Sequence, residues 1–504
     1  MSSFPNPASR NSPRVVIAGL AGDAGKTLVS LAVILLARRA GVRVRAFKKG
    51  PDYIDPAWLG WACGRPARNL DTFLMGFDGA VDSFARHADP TGFNLIEGNR
   101  GLHDGVDARG THSTAALARA LEAPVILVVN AGKVTRTAAA SVLGCRMMDP
   151  EARIAGVVLN RIAGERHAAV AREAIEEVCG IPVLGALPRT EANLLPERHL
   201  GLVAPQECAG IAELERKIVE FAEGRLDLAA MLKIAADVPQ PAPPGTRRAD
   251  ALVRARPPGR APALVVNSHA GRDAGTAAAR SGERVRIGYL NDAAFSFYYP
   301  ENLEALEAAG AEPVRISSLL PNALPRGLHA LYIGGGFPET HGAILAANTE
   351  LLGSIRDAAA AGMPIWAECG GLMALARAIR WRGDRWAMAG VLPFEVEVLA
   401  RPQGHGYATL RVDRPNPFLP VGAELRGHEF HYSRIAEGER PETACAVLRG
   451  AGCYDCRDGV MKGSVWAGYT HLHATGTPEW APALVRAAQN YISDYKLRYI
   501  EESV

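Results

Sequence analysis

Three things are scarce in this chain of 504 residues: long apolar runs, net charge and cysteine. No stretch approaches the roughly 18 uncharged apolar residues that a membrane-spanning helix needs, so we expect no membrane partner. The formal net charge of +3 is too small for a surface that tracks phosphates, so we expect no nucleic-acid partner; any anionic ligand must be held by a local cluster. Eight cysteines at irregular spacing read as reduced thiols rather than a disulfide framework. The opening segment "MSSFPNPASRNSP" has no apolar core of the signal-peptide kind, and we expect a cytoplasmic protein.

What is present is alternation. From residue 14 to about 225, short apolar runs ("RVVIAG", "VRVRAFK", "FNLIEG", "VILVVNA", "IAGVVLN", "IPVLGALP") alternate with helical stretches, the pattern of βαβ units and a parallel sheet covered on both faces. Residues 239–284 break it with "PQPAPPGTRR" and "RARPPGRAPA", which read as an exposed linker. A second series runs through "VRIGYL", "ALYIGGG", "MPIWAECGG" and "SVWAGYTHLH". The expected architecture is two parallel-sheet α/β domains, 14–238 and 285–495, without an internal repeat.

In the first domain, "VVIAGLAGDAGKTLVSLAVILLARRAG" is a strand, a Gly-rich turn and a helix. Backbone N–H groups of such a turn cradle phosphates, Lys26 reaches the outer ones and Thr27 can ligate Mg²⁺. Gly19 lies one residue too early for the standard spacing to Gly25, so a longer loop is implied; an incidental Gly-rich turn is the alternative. Asp23 inside the loop costs energy beside phosphates unless it turns outward or meets a cation. "FNLIEGNRGLHDG" places Glu97 at a strand end and Asp104 in the loop beyond, both suited to Mg²⁺, although Asp104 also reads as a turn residue. Between them, Lys48, Lys49, Arg65 and Arg68 cluster with Asp52 and Asp55, which is either a solvated face or a binding surface. The neighbouring aromatics Tyr53 and Trp58 favour a surface for a flat, carboxylated ligand.

In the second domain, the apolar strand, turn and helix of "MPIWAECGGLMALARAI" describe a nucleophile elbow around Cys369, whose thiol at a helix N-terminus is expected to have a lowered pKa. An inert core thiol is the alternative. The glycine run of "YIGGGFPETH", with Gly335 and Gly336, can supply oxyanion donors. His471 and His473 share one strand face, so spacing alone does not choose the base. Cys453 and Cys456 form a C-x2-C without a second ligand pair and read as a loop feature. His428, Glu429 and His431 lack the helical metal register, and we rank a structural or channel-lining role ahead of metal.

Ten motifs in order, "GLAGDAGKT", "FKKGPDYIDP", "NLD", "EGNRGLHDG", "LPERHLGL", "AFSFYYPENL", "GGGFPE", "AECGGLM", "GHEFHYS" and "YTHLH", resemble the cobyrinic acid a,c-diamide synthase family from about residue 14 to 495. The resemblance implies a P-loop synthetase domain of the dethiobiotin-synthetase type and a class I glutamine amidotransferase domain. It implies ATP, Mg²⁺, L-glutamine and a carboxylated tetrapyrrole, with ATP phosphorylating a side-chain carboxylate that ammonia then converts to an amide. By matching position, Cys369 resembles the glutaminase nucleophile and His471 its base. Lys26 and Thr27 resemble ATP and Mg²⁺ ligands; Asp52, Glu97 and Asp104 resemble acidic residues of the synthetase site.

Departures fall near phosphate and substrate: Gly22 and Asp23 replace a Ser-Gly pair, Asn99, Arg100 and His103 replace commoner hydrophobic and tyrosine residues, and Asn130 stands for an aspartate. His473 stands where many such enzymes carry an orienting glutamate, so a Cys–His dyad is one expectation. The cofactor-binding set is then Gly19, Asp23, Gly25, Lys26 and Thr27; the substrate set is Lys48, Asp52, Tyr53, Asp55, Arg68 and Asp104; the metal pair is Thr27 and Glu97. Alternatives are the same amidation on a sirohydrochlorin or siroheme ring, a P-loop regulatory ATPase with no use for Cys369, and a dethiobiotin-synthetase-like carboxylase, which leaves the second domain unexplained. A homodimer is a further expectation.

Overall fold

The computed structural model describes residues 12–190, 194–198, 201–238 and 284–501, so all of the expected linker except Arg284 lies outside the described residues. The first half builds a seven-stranded parallel sheet from β1 (Arg14–Gly19), β2 (Val44–Lys49), β3 (Arg68–Leu70), β4 (Phe93–Gly101), β5 (Val125–Asn130), β6 (Ile154–Ile162) and β7 (Val183–Pro188). Their order is β3-β2-β4-β1-β5-β6-β7. Every residue of β1 is buried, as a central strand covered on both faces requires. Helix α1 (Lys26–Arg39) packs against α2 (Ile54–Cys63) and against the helix Ile211–Ala222. Its Val29, Leu31, Val33 and Ile34 are fully buried, each contributing about 1.5–3 kcal/mol. Strand order reverses around β1, whose neighbours are β4 and β5, so the loops at these carboxyl ends open a crevice where α/β sheets take ligands.

The second half differs from expectation. Its ten-stranded sheet is parallel only through Ala311–Ile316, Val285–Leu290, Ala330–Ile333, Ile365–Glu368 and Val465–Gly468. It then continues antiparallel through Arg457–Lys462, Thr443–Arg449, Gly404–Val412 and Glu424–His431 to His471–Leu472. Helical crossovers accompany the parallel strands, whereas the later segments follow one another without intervening helices and therefore pair as neighbours. Its largely aliphatic core holds an aromatic cluster: Trp366 and Trp466 stack at 4.7 Å, with Trp480 edge-on to Trp366. Among the described residues, no helix is long and apolar enough to cross a membrane.

The two sheets meet through specific contacts. Tyr407 Oη donates to Asp71 Oδ2 at 2.7 Å, Tyr299 Oη donates to the Pro51 carbonyl at 2.9 Å, and Arg68 Nη1 pairs with Glu301 at 3.2 Å. These bonds turn the carboxyl ends of the first sheet toward the strand ends that carry Cys369 and His471.

Candidate active site

The phosphate loop begins at the buried end of β1 and closes at Gly25, which has a left-handed φ of 90°. A Cβ there would stand 2.2 Å from Asn160 Nδ2, so both conformation and space demand glycine. Asn160 itself donates to the Ala24 carbonyl and braces the loop from β6. Lys26 Nζ donates to the carbonyls of Ala21 and Gly22 at 3.0 and 3.2 Å, folding back over the loop that phosphates would fill. Burial, helped by the Lys48 charge, lowers its pKa to about 8. Asp23 points outward, highly exposed and 3.8 Å from Arg161, which removes the conflict expected from its place in the loop.

Beneath the loop is a buried charge cluster. Lys48 Nζ lies 2.6 Å from Asp55 Oδ2 and 2.7 Å from Glu97 Oε1, and Thr27 Oγ1 donates to the same Glu97 oxygen at 3.1 Å. Burial lowers the Lys48 pKa, but Asp55 and Glu97 outweigh it and the net shift is upward, so the ammonium stays charged. Glu97 Oε2 is fully buried with no hydrogen-bond partner. Burial raises the pKa of this carboxyl despite Lys48. An orphaned carboxylate oxygen beside a threonine hydroxyl fits a hard divalent cation. Asp52 accepts the Asp55 amide at 2.8 Å, and burial together with the Asp55 charge raises its pKa to about 7. Asp104 Oδ2 accepts the Gly101 amide at 2.8 Å and so also fixes its own turn.

One cavity of about 1460 Å³ joins Asp23, Gly25, Lys26, Thr27, Asp52, Tyr53, Asp55 and Asp104 to His471 of the other half. Several expected contacts lie outside its lining, among them Glu97, buried beneath the loop, and Cys369, which lines a separate small pocket with Gly336. Gly19 does not line the cavity: its carbonyl accepts the Leu102 amide and a Cβ on it would strike Ala24, so it serves loop packing. Lys48 is an internal counter-ion at 2% exposure, not a surface for ligand. Arg68 is turned to the domain boundary by Glu301 and Glu304. Trp58, read as part of a binding face, is fully buried and donates to the Val203 carbonyl.

Cys369 forms the expected elbow. It follows Ile365–Glu368, has φ 51° and ψ −99°, and caps the helix Gly370–Leu375. Its amide donates to the Gly468 carbonyl at 2.7 Å, tying the elbow to the strand that leads to His471. The expected low thiol pKa is overturned: burial first, then the Glu339 charge, push it well above the ordinary value. A helix of six residues presents too weak a dipole to offset a thiol only 5% exposed. A thiol held this way becomes a nucleophile only with a base beside it.

The loop of Gly335 and Gly336 lies between Gly370, next to Cys369, and His471. A Cβ on Gly370 would lie 3.0 Å from the Gly336 amide, and one on Gly335 would lie 2.4 Å from His471 Cε1. Glu368 Oε2 stands 3.6 Å from His471 Nδ1, leaving Nε2 on the Gly335 side. Trp366 Nε1, Tyr332 Oη and the Leu472 amide all donate to the Glu368 carboxylate and fix it. Beside the expected Cys–His dyad, Glu368 is thus the carboxylate that faces His471, at 3.6 Å and outside hydrogen-bond range, and it precedes the cysteine in sequence. The signal was a carboxylate closing an otherwise apolar strand. His473 turns away: its Nδ1 accepts the Thr475 amide and its Nε2 faces Glu301 at 3.7 Å.

His428 stacks on His471 with ring centres 4.9 Å apart, and Tyr53 from the first half packs against His471, His428, Tyr299 and Phe297. Burial and the neighbouring His471 and His473 hold the His428 pKa well below its ordinary value, leaving a neutral ring. His428 and Glu429 both line the cavity, and Glu429 accepts the Gly452 amide and sits 3.5 Å from His431. Among the described residues, no group of three His, Cys, Asp or Glu side chains is placed to hold a metal, and Cys453 and Cys456 are free thiols.

The comparisons agree with this layout. The model for a CobQ/CobB/MinD/ParA nucleotide binding domain matches residues 15–203, and that for a CobB/CobQ-like glutamine amidotransferase domain matches residues 286–478. Fold and site thus define a glutamine amidotransferase joined to a nucleotide-binding domain, which sets aside the regulatory ATPase and the lone carboxylase. A cobyrinate a,c-diamide synthase of Magnetococcus marinus is 42% identical over 94% of this chain and 97% of its own. Those of Syntrophotalea carbinolica and Methanothermobacter thermautotrophicus are 40% and 38% identical over 94% and 95% of this chain, and over 98% and 100% of their own lengths. The chain belongs to the cobyrinate a,c-diamide synthase family.

Proposed function

We propose that this protein is an ATP-dependent, glutamine-hydrolysing ligase that amidates the a and c side-chain carboxylates of cobyrinic acid in cobalamin biosynthesis. The observation that carries the reading is the shared cavity, in which a phosphate loop and the base of a thiol nucleophile face one space. Residues 14–238 act as the synthetase domain and 285–495 as the glutaminase domain.

In the rear domain, Cys369 Sγ attacks the glutamine amide carbon while His471 Nε2 takes the thiol proton and passes it to the departing ammonia. Amides of Gly335 and Gly336 receive the oxyanion, and Glu368 holds the imidazolium that forms. Water then releases glutamate. In the front domain, a carboxylate oxygen of the ring attacks the γ-phosphorus of ATP and the bond to ADP breaks. The acyl phosphate solves a chemical problem, since oxide cannot leave a carboxylate but phosphate can. Ammonia attacks the acyl carbon, phosphate departs, and the nitrogen loses a proton.

Lys26 steadies the transferring phosphoryl group. Mg²⁺, held by Thr27 and Glu97, would neutralise charge on the phosphates, and the orphaned Glu97 oxygen supports that assignment. Asp52, Asp55 and Asp104 shape the acceptor end of the cavity.

Product mass spectrometry after incubation with ATP, amide-labelled glutamine and each candidate ring tests the reading. Two labelled amides on cobyrinic acid are expected. Labelling confined to sirohydrochlorin or siroheme would redirect the substrate, and no label in any ring would end the amidation proposal.

A further inference from the structure

A ring with several carboxylates presents only one to the phosphoryl group at a time, and each of the others keeps water unless protein cations replace it. Lys49, Arg100, His405 and Arg449 line the cavity and take no part in the steps above. Lys49 and Arg100 come from β2 and β4 of the front half, while His405 and Arg449 come from Gly404–Val412 and Thr443–Arg449 of the rear.

Their setting is built. Arg100 holds a left-handed φ of 51°, a conformation disfavoured for a long side chain and kept where surroundings impose it. The Arg449 guanidinium lies 5.5 Å over the Phe73 ring, and Phe73 stacks on Tyr407 at 4.3 Å. Such a contact fixes a guanidinium by its face without using its in-plane N–H donors. The Tyr407 bond to Asp71 locks this platform across both halves. Burial and then the Arg100 charge depress the His405 pKa; burial also depresses that of Lys49, with Lys48 and Arg100 adding to it against Asp71. An anion among Lys49, Arg100 and Arg449 offsets the repulsion that Lys49 meets there, and a neutral His405 ring still offers it an N–H donor.

We infer that Lys49, Arg100, His405 and Arg449 form a carboxylate-binding wall for the non-reacting acid groups of the acceptor ring, so that the glutaminase half supplies part of the acceptor site. This rests on the proposed amidation of a carboxylated tetrapyrrole. The rear domain then has two duties, ammonia release and acceptor capture.

The test is ammonia-driven amidation of cobyrinic acid without glutamine, in the full chain, comparing the parent with Arg449→Gln, Arg100→Gln and the conservative Arg449→Lys. Each Gln variant should raise the acceptor KM about tenfold or more while kcat and the KM for ATP hold, with Arg449→Lys recovering part of the loss. Rising salt should weaken acceptor binding in the parent more than in the variants. Unchanged acceptor KM in both Gln variants, with thermal unfolding matching the parent, would overturn the wall alone. A parent chain that amidates no ring would bring down the amidation reading and the wall with it.

Discussion

The two halves of the site solve opposite problems. At the front, Lys26, Lys48, Asp52, Asp55 and Glu97 crowd charges around the phosphate loop, paired at 2.6 and 2.7 Å where buried. At the rear, Cys369 is a buried thiol near the Glu339 and Glu368 carboxylates, and the rings of His428, Tyr53 and Phe297 pack around His471. Phosphoryl transfer needs fixed charge where charge moves. Ammonia must stay unprotonated to attack, and a desolvated aromatic setting disfavours ammonium. The contrast teaches that each half is tuned to the charge of the species it handles.

The sharpest way to separate the halves is a crossed pair of substitutions. Cys369→Ala should lower glutamine-driven amidation by about a thousandfold or more while ammonia-driven amidation persists. Lys26→Ala should lower both by about a hundredfold or more, yet leave glutaminase turnover measurable as glutamate release. Equal loss of both nitrogen sources in Cys369→Ala would show that the contrast is false.

A smaller effect probes the rear alone. Glu368→Gln should cut glutaminase kcat about ten- to a hundredfold and shift its pH profile, because the imidazolium at His471 loses its carboxylate. An unchanged profile would reduce Glu368 to packing.

The smallest effect concerns the seam. Burial pushes the Glu301 pKa up, but His473 and Arg68 pull it down from 4.5 to about 2. A folded-state pKa below the unfolded one stabilises the fold above 4.5 and is lost as pH falls toward about 2. Acid unfolding of the parent should show an extra loss on the order of 3 kcal/mol in that window that Glu301→Gln lacks. Parallel curves would mean the seam gains nothing from this carboxylate.

Much of this was legible in the residues. Uniform apolar runs marked the parallel strands, and strand, glycines and helix in sequence marked both the phosphate loop and the elbow at Cys369. What escaped reading was direction and partner. Lys48 and Arg68 looked like ligand contacts because charge next to charge reads alike whether it faces solvent, substrate or a buried acid. The Cys369 pKa was misjudged because a helix terminus is visible in sequence whereas depth of burial is not. Glu368 was overlooked because its partner His471 is distant in the chain and meets it only once Ile365–Glu368 and His471–Leu472 share a sheet. The antiparallel extension was hidden because pairing partners are set by what surrounds a strand.

Tyr53 directly follows Asp52, and its ring is wedged among Phe297, Tyr299, His428 and His471. A chimera that grafted a foreign glutaminase onto this synthetase would therefore have to bring matching rings for residue 53, or the loop bearing Asp52 would lose its seat. The two catalysts are inherited as one joined part.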